Sequence, residues 1–205
     1  MTKLVVQGGS KLDGVVKISG SKNATMPVLI SCILLDSVSF NKKISFANVS
    51  FCNDICIVVQ ILRSIGVSFD ILYQNDMSIL QLTDYKSKLS QPFDITQNKV
   101  SKLIRTSIIF MGPLLARYGI AKIPMPGGCR IGERKIDIHL DIAEKMGCEI
   151  SFYDNYLEVV AKNGLNAINE TLKFASVGAS HNAIMMCSLA KGVSVIKNIS
   201  VEPED

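Results

Sequence analysis

The sequence predicts an α/β fold assembled from an internal repeat, and three observations carry that reading. Segments with helical spacing of apolar residues alternate with short β-branched and aromatic runs along the chain. ILRSIGVSFDI at 61–71 returns as IAEKMGCEISF at 142–152, which places Gly66 over Gly147 at an offset of 147 − 66 = 81 residues. A third copy starts at SVGASHNAIMMC, where LAKGVSVIKNIS from Leu189 matches LLDSVSFNKKIS from Leu34.

The elements follow in order. KLVVQGGSKLDGVVKIS alternates apolar and polar residues around a Gly-Gly-Ser turn, so a β-hairpin is predicted over 1–20. NATMPVLISCILL reads as a buried helix from Asn23 to Leu35, with Pro27 tolerated near its first turn. VSFNKKISFANV reads as strand and turn, IVVQILRSIG as a helix closed by Gly66, and VSFDILY as a strand. The same order recurs: VSKLIRTSIIFMGPLLARYG is predicted as one helix, IAKIPM as a strand, DIHLDIAEKMG as a helix and CEISFY as a strand. In the third copy Asp205 falls where the second helix, beginning near Asp54 and Asp137 in the other copies, is due. A truncated third unit is therefore expected, with one face of its sheet uncovered.

Composition narrows the function. The 205 residues are 48% hydrophobic, enough for a substantial core. No run approaches the roughly 18 apolar residues of a membrane span, and MTKLVVQGGSKLDG has no signal-peptide core, so a cytoplasmic protein without membrane partners is expected. A net charge of +4, 6% aromatics and no basic block longer than two residues argue against nucleic-acid partners but leave room for an anion-binding cleft. Cys32, Cys52, Cys56, Cys148 and Cys187 sit mostly in apolar runs and read as reduced core residues. Cys52 and Cys56 have no neighbouring Cys or His to complete a zinc site, so no metal and no cofactor are expected.

Chemistry concentrates in three Gly-containing loops that each feed a helix N-terminus, where free N–H groups and the helix dipole favour an anion: SGSKNA (19–24), GGCRIGERKID (127–137) and SVGAS (176–180). Lys22, Arg134, Lys102 and Arg105 accompany them. Taken alone, Arg105 reads as a solvated helix edge sharing a side with Lys102 at i, i+3 spacing; beside the other cations it reads as part of a site. Cys129 follows Gly127 and Gly128 and precedes Arg130, Arg134 and Lys135, which favour a thiolate, so a reactive thiol and a structural loop cysteine both fit that setting.

ISGSKNATMPVL, KLIRTSIIFMGPLLARYG, PMPGGCRIGERKIDIH, SVGAS and VEPED, in this order, resemble the N-terminal half of the UDP-N-acetylglucosamine enolpyruvyl transferases of bacterial cell-wall synthesis, over essentially the whole chain. The resemblance implies an inside-out α/β barrel built from βαβαββ units, with 21–205 as a first domain and 1–20 packing against a second. It implies transfer of the enolpyruvyl group of phosphoenolpyruvate to the 3′-hydroxyl of UDP-N-acetylglucosamine with release of phosphate, and inactivity of a chain of this extent alone. By motif, Cys129 is the expected proton donor. Lys22, Asn23 and Arg134 are expected on phosphoenolpyruvate, and Arg105, Arg134, Lys135, Ile136, Asp137, Ile138, Ser176 and Val177 on the nucleotide sugar. Phe174, with Lys173 adjacent, stands where the family often has lysine. The alternatives are a shikimate-pathway enolpyruvyl transferase, whose family lacks the cysteine loop, and a non-catalytic anion-binding fragment.

Overall fold

The computed structural model describes residues 3–9, 11–35, 44–74, 77–85, 94–125 and 136–202. Five α-helices and eight strands run through them: α1 (Lys22–Ile30), β1 (Ser45–Ala47), α2 (Asn53–Ser64), β2 (Val67–Gln74), β3 (Met77–Tyr85), α3 (Met111–Tyr118), β4 (Ile120–Pro124), α4 (Asp137–Lys145), β5 (Glu149–Phe152), β6 (Tyr156–Val160), β7 (Asn169–Thr171), α5 (Val177–Cys187) and β8 (Val195–Lys197).

The repeat is visible in the sheets. β3 lies antiparallel between β1 and β2, and β6 lies antiparallel between β4 and β5. In each unit a strand, a helix and a hairpin therefore make one small sheet with the last strand central. β7 and β8 pair in parallel around α5, and an isolated parallel bridge between Asp94 and Lys122 gives the second unit the same opening. Asn48 and Asn198, both at positive φ, follow β1 and β8 at an offset of 198 − 48 = 150 residues. The helices Lys22–Ile30 and Val177–Cys187 start 177 − 22 = 155 residues apart. The sequence match from Leu34 and Leu189 thus holds for the helices, while the first unit carries five extra residues before its strand.

Each sheet buries one face and leaves the other to solvent. Val67, Phe69, Leu80 and Leu82 point inward from the first, and Ala121, Ile123, Leu157 and Val159 from the second. Between the sheets lie α1, α3 and α5, with Leu29, Ile30, Phe110, Met111, Leu114, Ala183 and Met186 fully buried. Helices inside and sheets outside give the inside-out arrangement. α5 carries buried groups all round, including Ser180, His181 and Asn182, as a helix enclosed by others must.

Three expectations need correction. No strand forms among the described residues of 1–20; Leu4, Val5, Val6, Leu12, Val15, Val16 and Ile18 there are exposed, and an isolated hairpin without an apolar surface to cover is marginal. The helix expected over 100–119 is three pieces: 3₁₀ turns at Lys99–Leu103 and Arg105–Phe110, then α3, with Ile104 extended (φ −120°, ψ 138°) between the turns. Lys102 and Arg105 therefore do not share a helix face. Cys56 is exposed, in line with Gln60 and Arg63 on the outer stripe of α2, whereas Cys32 and Cys148 are buried and their thiols are pushed up to about 12 and about 11 by desolvation.

Candidate functional site

The N-termini of α1, α4, α5 and the 3₁₀ turn at Arg105 converge on one open cleft of about 990 Å³. Each arrives there for a local reason. The Ser21 hydroxyl accepts from the Ala24 N–H to start α1, and the Ser176 hydroxyl accepts from the Ala179 N–H to start α5. α4 differs: Ile136 gives it no side-chain cap, its first intrahelical bond is Leu140 N–H to Ile136 C=O, and Asp137 and Ile138 of its first turn line the cleft. The extended Ile104 turns the chain so that Arg105 enters the cleft beside Ile104 and Thr106.

Among the expected site residues, Lys22, Asn23, Arg105, Asp137, Ile138, Ser176 and Val177 all line this cleft. Ile136 packs half-buried against the core just outside it. Cys129, Arg134 and Lys135 lie outside the described residues. Phe174 lines the cleft and is exposed, while neighbouring Lys173 points to Asp141, 3.8 Å away, so the cation adjacent to the substituted position is directed elsewhere.

The cleft also holds groups that the sequence did not single out. Asp54, in the first turn of α2, forms an ion pair with Lys22 at 2.8 Å, and this hydrogen bond holds the Lys22 ammonium above its ordinary pKa. His139 lines the cleft from α4 and is 5% exposed; burial first, then the Arg105 guanidinium, push its pKa down to about 4 against a smaller opposing effect of Asp137. Asn182 on α5 ties the walls together. Its Oδ1 accepts from the Gly112 N–H at 2.9 Å, and its Nδ2 donates to the Ile108 carbonyl at 2.9 Å and meets His139 Nδ1 at 2.8 Å.

The chemistry available is anion binding. Helix N-termini, the Lys22 ammonium with its partner Asp54, and the Arg105 guanidinium border one volume whose lining also includes Asp137, His139, His181 and an apolar stretch of Met26, Pro27, Ile108 and Ile109. Among the described residues, no cluster of His, Cys, Asp or Glu has metal-binding geometry and no helix is long and apolar enough to cross a membrane.

Comparison with known proteins agrees with this architecture. The chain is 37% identical over 204 residues to a UDP-N-acetylglucosamine 1-carboxyvinyltransferase of Pelagibacter ubique and 35% identical over 205 residues to one of Rickettsia rickettsii, covering 100% of this chain and 46% of each relative. It thus spans about half the length of the curated relatives it matches. Its fold superposes on the enolpyruvyl transferase NikO of Streptomyces tendae with a TM-score of 0.72 at 15% identity, over 96% of this chain and 43% of that one. An EPSP synthase of Acinetobacter baumannii gives 0.61 at 14% identity, over 93% and 41%. The family model for EPSP synthase (3-phosphoshikimate 1-carboxyvinyltransferase) matches residues 6–204, and with a repeated helix-inside, sheet-outside scaffold under that match, the chain belongs to this family.

Proposed function

We propose that this chain forms one wall of the active site of a UDP-N-acetylglucosamine 1-carboxyvinyltransferase. The observation that supports it most is the gathering of seven motif residues, from four helical N-termini far apart in sequence, around one cleft. The relatives at 35–37% identity carry that name. In this reading the 3′-hydroxyl of UDP-N-acetylglucosamine adds to C2 of phosphoenolpyruvate, giving its proton to a base on the facing wall, while Cys129 protonates C3; loss of phosphate and of one C3 proton then restores the double bond on the product. Lys22 and Asn23 contact phosphoenolpyruvate, and Arg134 holds its phosphate. Arg105, Lys135, Asp137, Ile138, Ser176 and Val177, with Ile136 behind them, form the nucleotide-sugar side. Both substrates are polyanions, which suits positive helix ends and fixed cations.

The same reading assigns 21–205 to a first domain and gives 1–20, with its exposed apolar side chains, to the surface of a second domain that supplies the facing wall. It places the chain in the cytoplasm and its product in peptidoglycan synthesis, on which cell shape and division depend. Isothermal titration of the purified chain tests it. UDP-N-acetylglucosamine is expected to bind, and Arg105→Ala to weaken it. Binding of shikimate 3-phosphate instead would select the shikimate-pathway reaction, and binding of inorganic phosphate alone would select a non-catalytic anion module.

A further inference from the structure

We propose that His139 is a ligand-contacting residue of the cleft, its Nε2–H held as a fixed hydrogen-bond donor by the Asn182 side chain. The tautomer follows from the bonds around Asn182. The Gly112 N–H needs an acceptor and the Ile108 carbonyl needs a donor, so the amide has one orientation, with Oδ1 toward Gly112 and Nδ2 toward Ile108. The second Nδ2 hydrogen then faces His139 Nδ1 at 2.8 Å, so Nδ1 accepts and the ring hydrogen sits on Nε2. No described residue accepts from Nε2.

The backbone keeps that ring edge open. A Cβ at Gly178 would lie 3.3 Å from His139 Cε1 and 3.5 Å from Nε2, so glycine at the second position of α5 leaves this edge free of a side chain where both residues line the cleft. The charged and titratable groups facing the ring are Arg105 from the 3₁₀ turn, Asp137 from its own helix and His181 from α5. Burial, Arg105 and His181 disfavour the imidazolium and only Asp137 favours it, and protonating Nδ1 would set two donors against each other. His139 is therefore a donor and not an acid at neutral pH, and its partner is an oxygen acceptor on the nucleotide half of the ligand. That identity rests on the nucleotide-sugar reading above.

The chain has two histidines, so a ¹⁵N-histidine spectrum of the unmodified chain resolves the question, with His139→Gln supplying the assignment. One imidazole is expected in the Nε2–H form, unchanged from pH 8 to pH 5, with its Nε2–H resonance shifting on addition of UDP-N-acetylglucosamine. His139→Leu should bind the nucleotide sugar about tenfold more weakly, the worth of one hydrogen bond in an enclosed site, while His139→Gln, which carries an N–H near the Nε2 position, stays within about threefold of the parent. An Nδ1–H tautomer, a titration near the ordinary histidine value, or a folded His139→Leu that binds like the parent would overturn this proposal and leave the nucleotide-sugar reading standing. A parent chain with no affinity for UDP-N-acetylglucosamine would overturn both.

Discussion

The two ends of α2 and α4 have had different fates. At their C-termini the helices are copies: the Ile65 N–H bonds to Ile61 C=O and Gly66 to Arg63, as Met146 bonds to Ile142 and Gly147 to Glu144. The glycines have φ +89° and +94°, a left-handed turn into the first strand of a hairpin. At the N-termini the likeness is gone. Neither N-cap residue, Cys52 or Ile136, gives a side-chain cap, but α2 brings Asp54 to the Lys22 ammonium, whereas α4 brings a buried neutral histidine beside Arg105. In both units the scaffold end leads into the hairpin of its sheet, so the same turn is kept. The cleft ends carry no such common turn, so copies of one scaffold present an ammonium, a guanidinium and helix N-termini to the same volume.

Substitutions at the cleft end and at the scaffold end sharpen that contrast, and the largest expected effect is the pH response of His139. Its folded pKa of about 4 lies below the unfolded value of 6.5, so the unfolded chain binds the extra proton first. Stability from this group is complete above 6.5 and is lost as pH falls toward 4, by on the order of 3 kcal/mol. His139→Gln should flatten that part of the melting-temperature profile; an unchanged profile would show that the histidine is not held neutral. Next comes Gly112→Ala, where the new Cβ would meet Asn182 Oδ1 at 2.7 Å and the Asn182 carbonyl oxygen at 2.9 Å on the seam between α3 and α5. A loss of about 2 kcal/mol is expected by denaturant unfolding.

Gly66→Ala and Gly147→Ala probe the copied ends. Each should cost roughly 1 kcal/mol from the positive φ, and Gly147→Ala somewhat more, because its Cβ would lie 2.9 Å from Asn166 Nδ2. If only one of the pair were destabilising, the two ends would not be equivalent. The smallest effect is expected for Asp54→Asn. Its ion pair with Lys22 is 45% and 35% exposed, so stability should change by less than about 1 kcal/mol, and a larger loss would make Asp54 a scaffold residue.

Much of the fold was legible because its signals are local. Gly66 and Gly147 mark helix ends, Ser21 and Ser176 mark helix starts, and the glycine loops point to the helices that converge on the cleft. The strands β3 and β6 went unread although MSILQLTDY and YLEVV alternate, with Leu80 and Leu82 or Leu157 and Val159 buried. The break at Ile104 was hidden because its neighbours keep helical spacing and the turn is imposed by packing. His139 and Asn182 look like ordinary polar positions in DIHLDIAEKMG and HNAIMM; their pairing joins residues 43 apart and exists only once α4 and α5 meet. Asp54 was likewise visible only as a helix start until Lys22 came within 2.8 Å.

The central claim is that the converging helix N-termini form a nucleotide-sugar site. Backbone amide chemical shifts of the chain titrated with UDP-N-acetylglucosamine test it directly. The account predicts the largest shifts at Arg105, Asp137, Ile138, Ser176 and Val177, with Gly66 and Gly147 at the opposite helix ends unmoved. Shifts centred on the scaffold ends, or the same cleft responding to shikimate 3-phosphate and not to the nucleotide sugar, would contradict it.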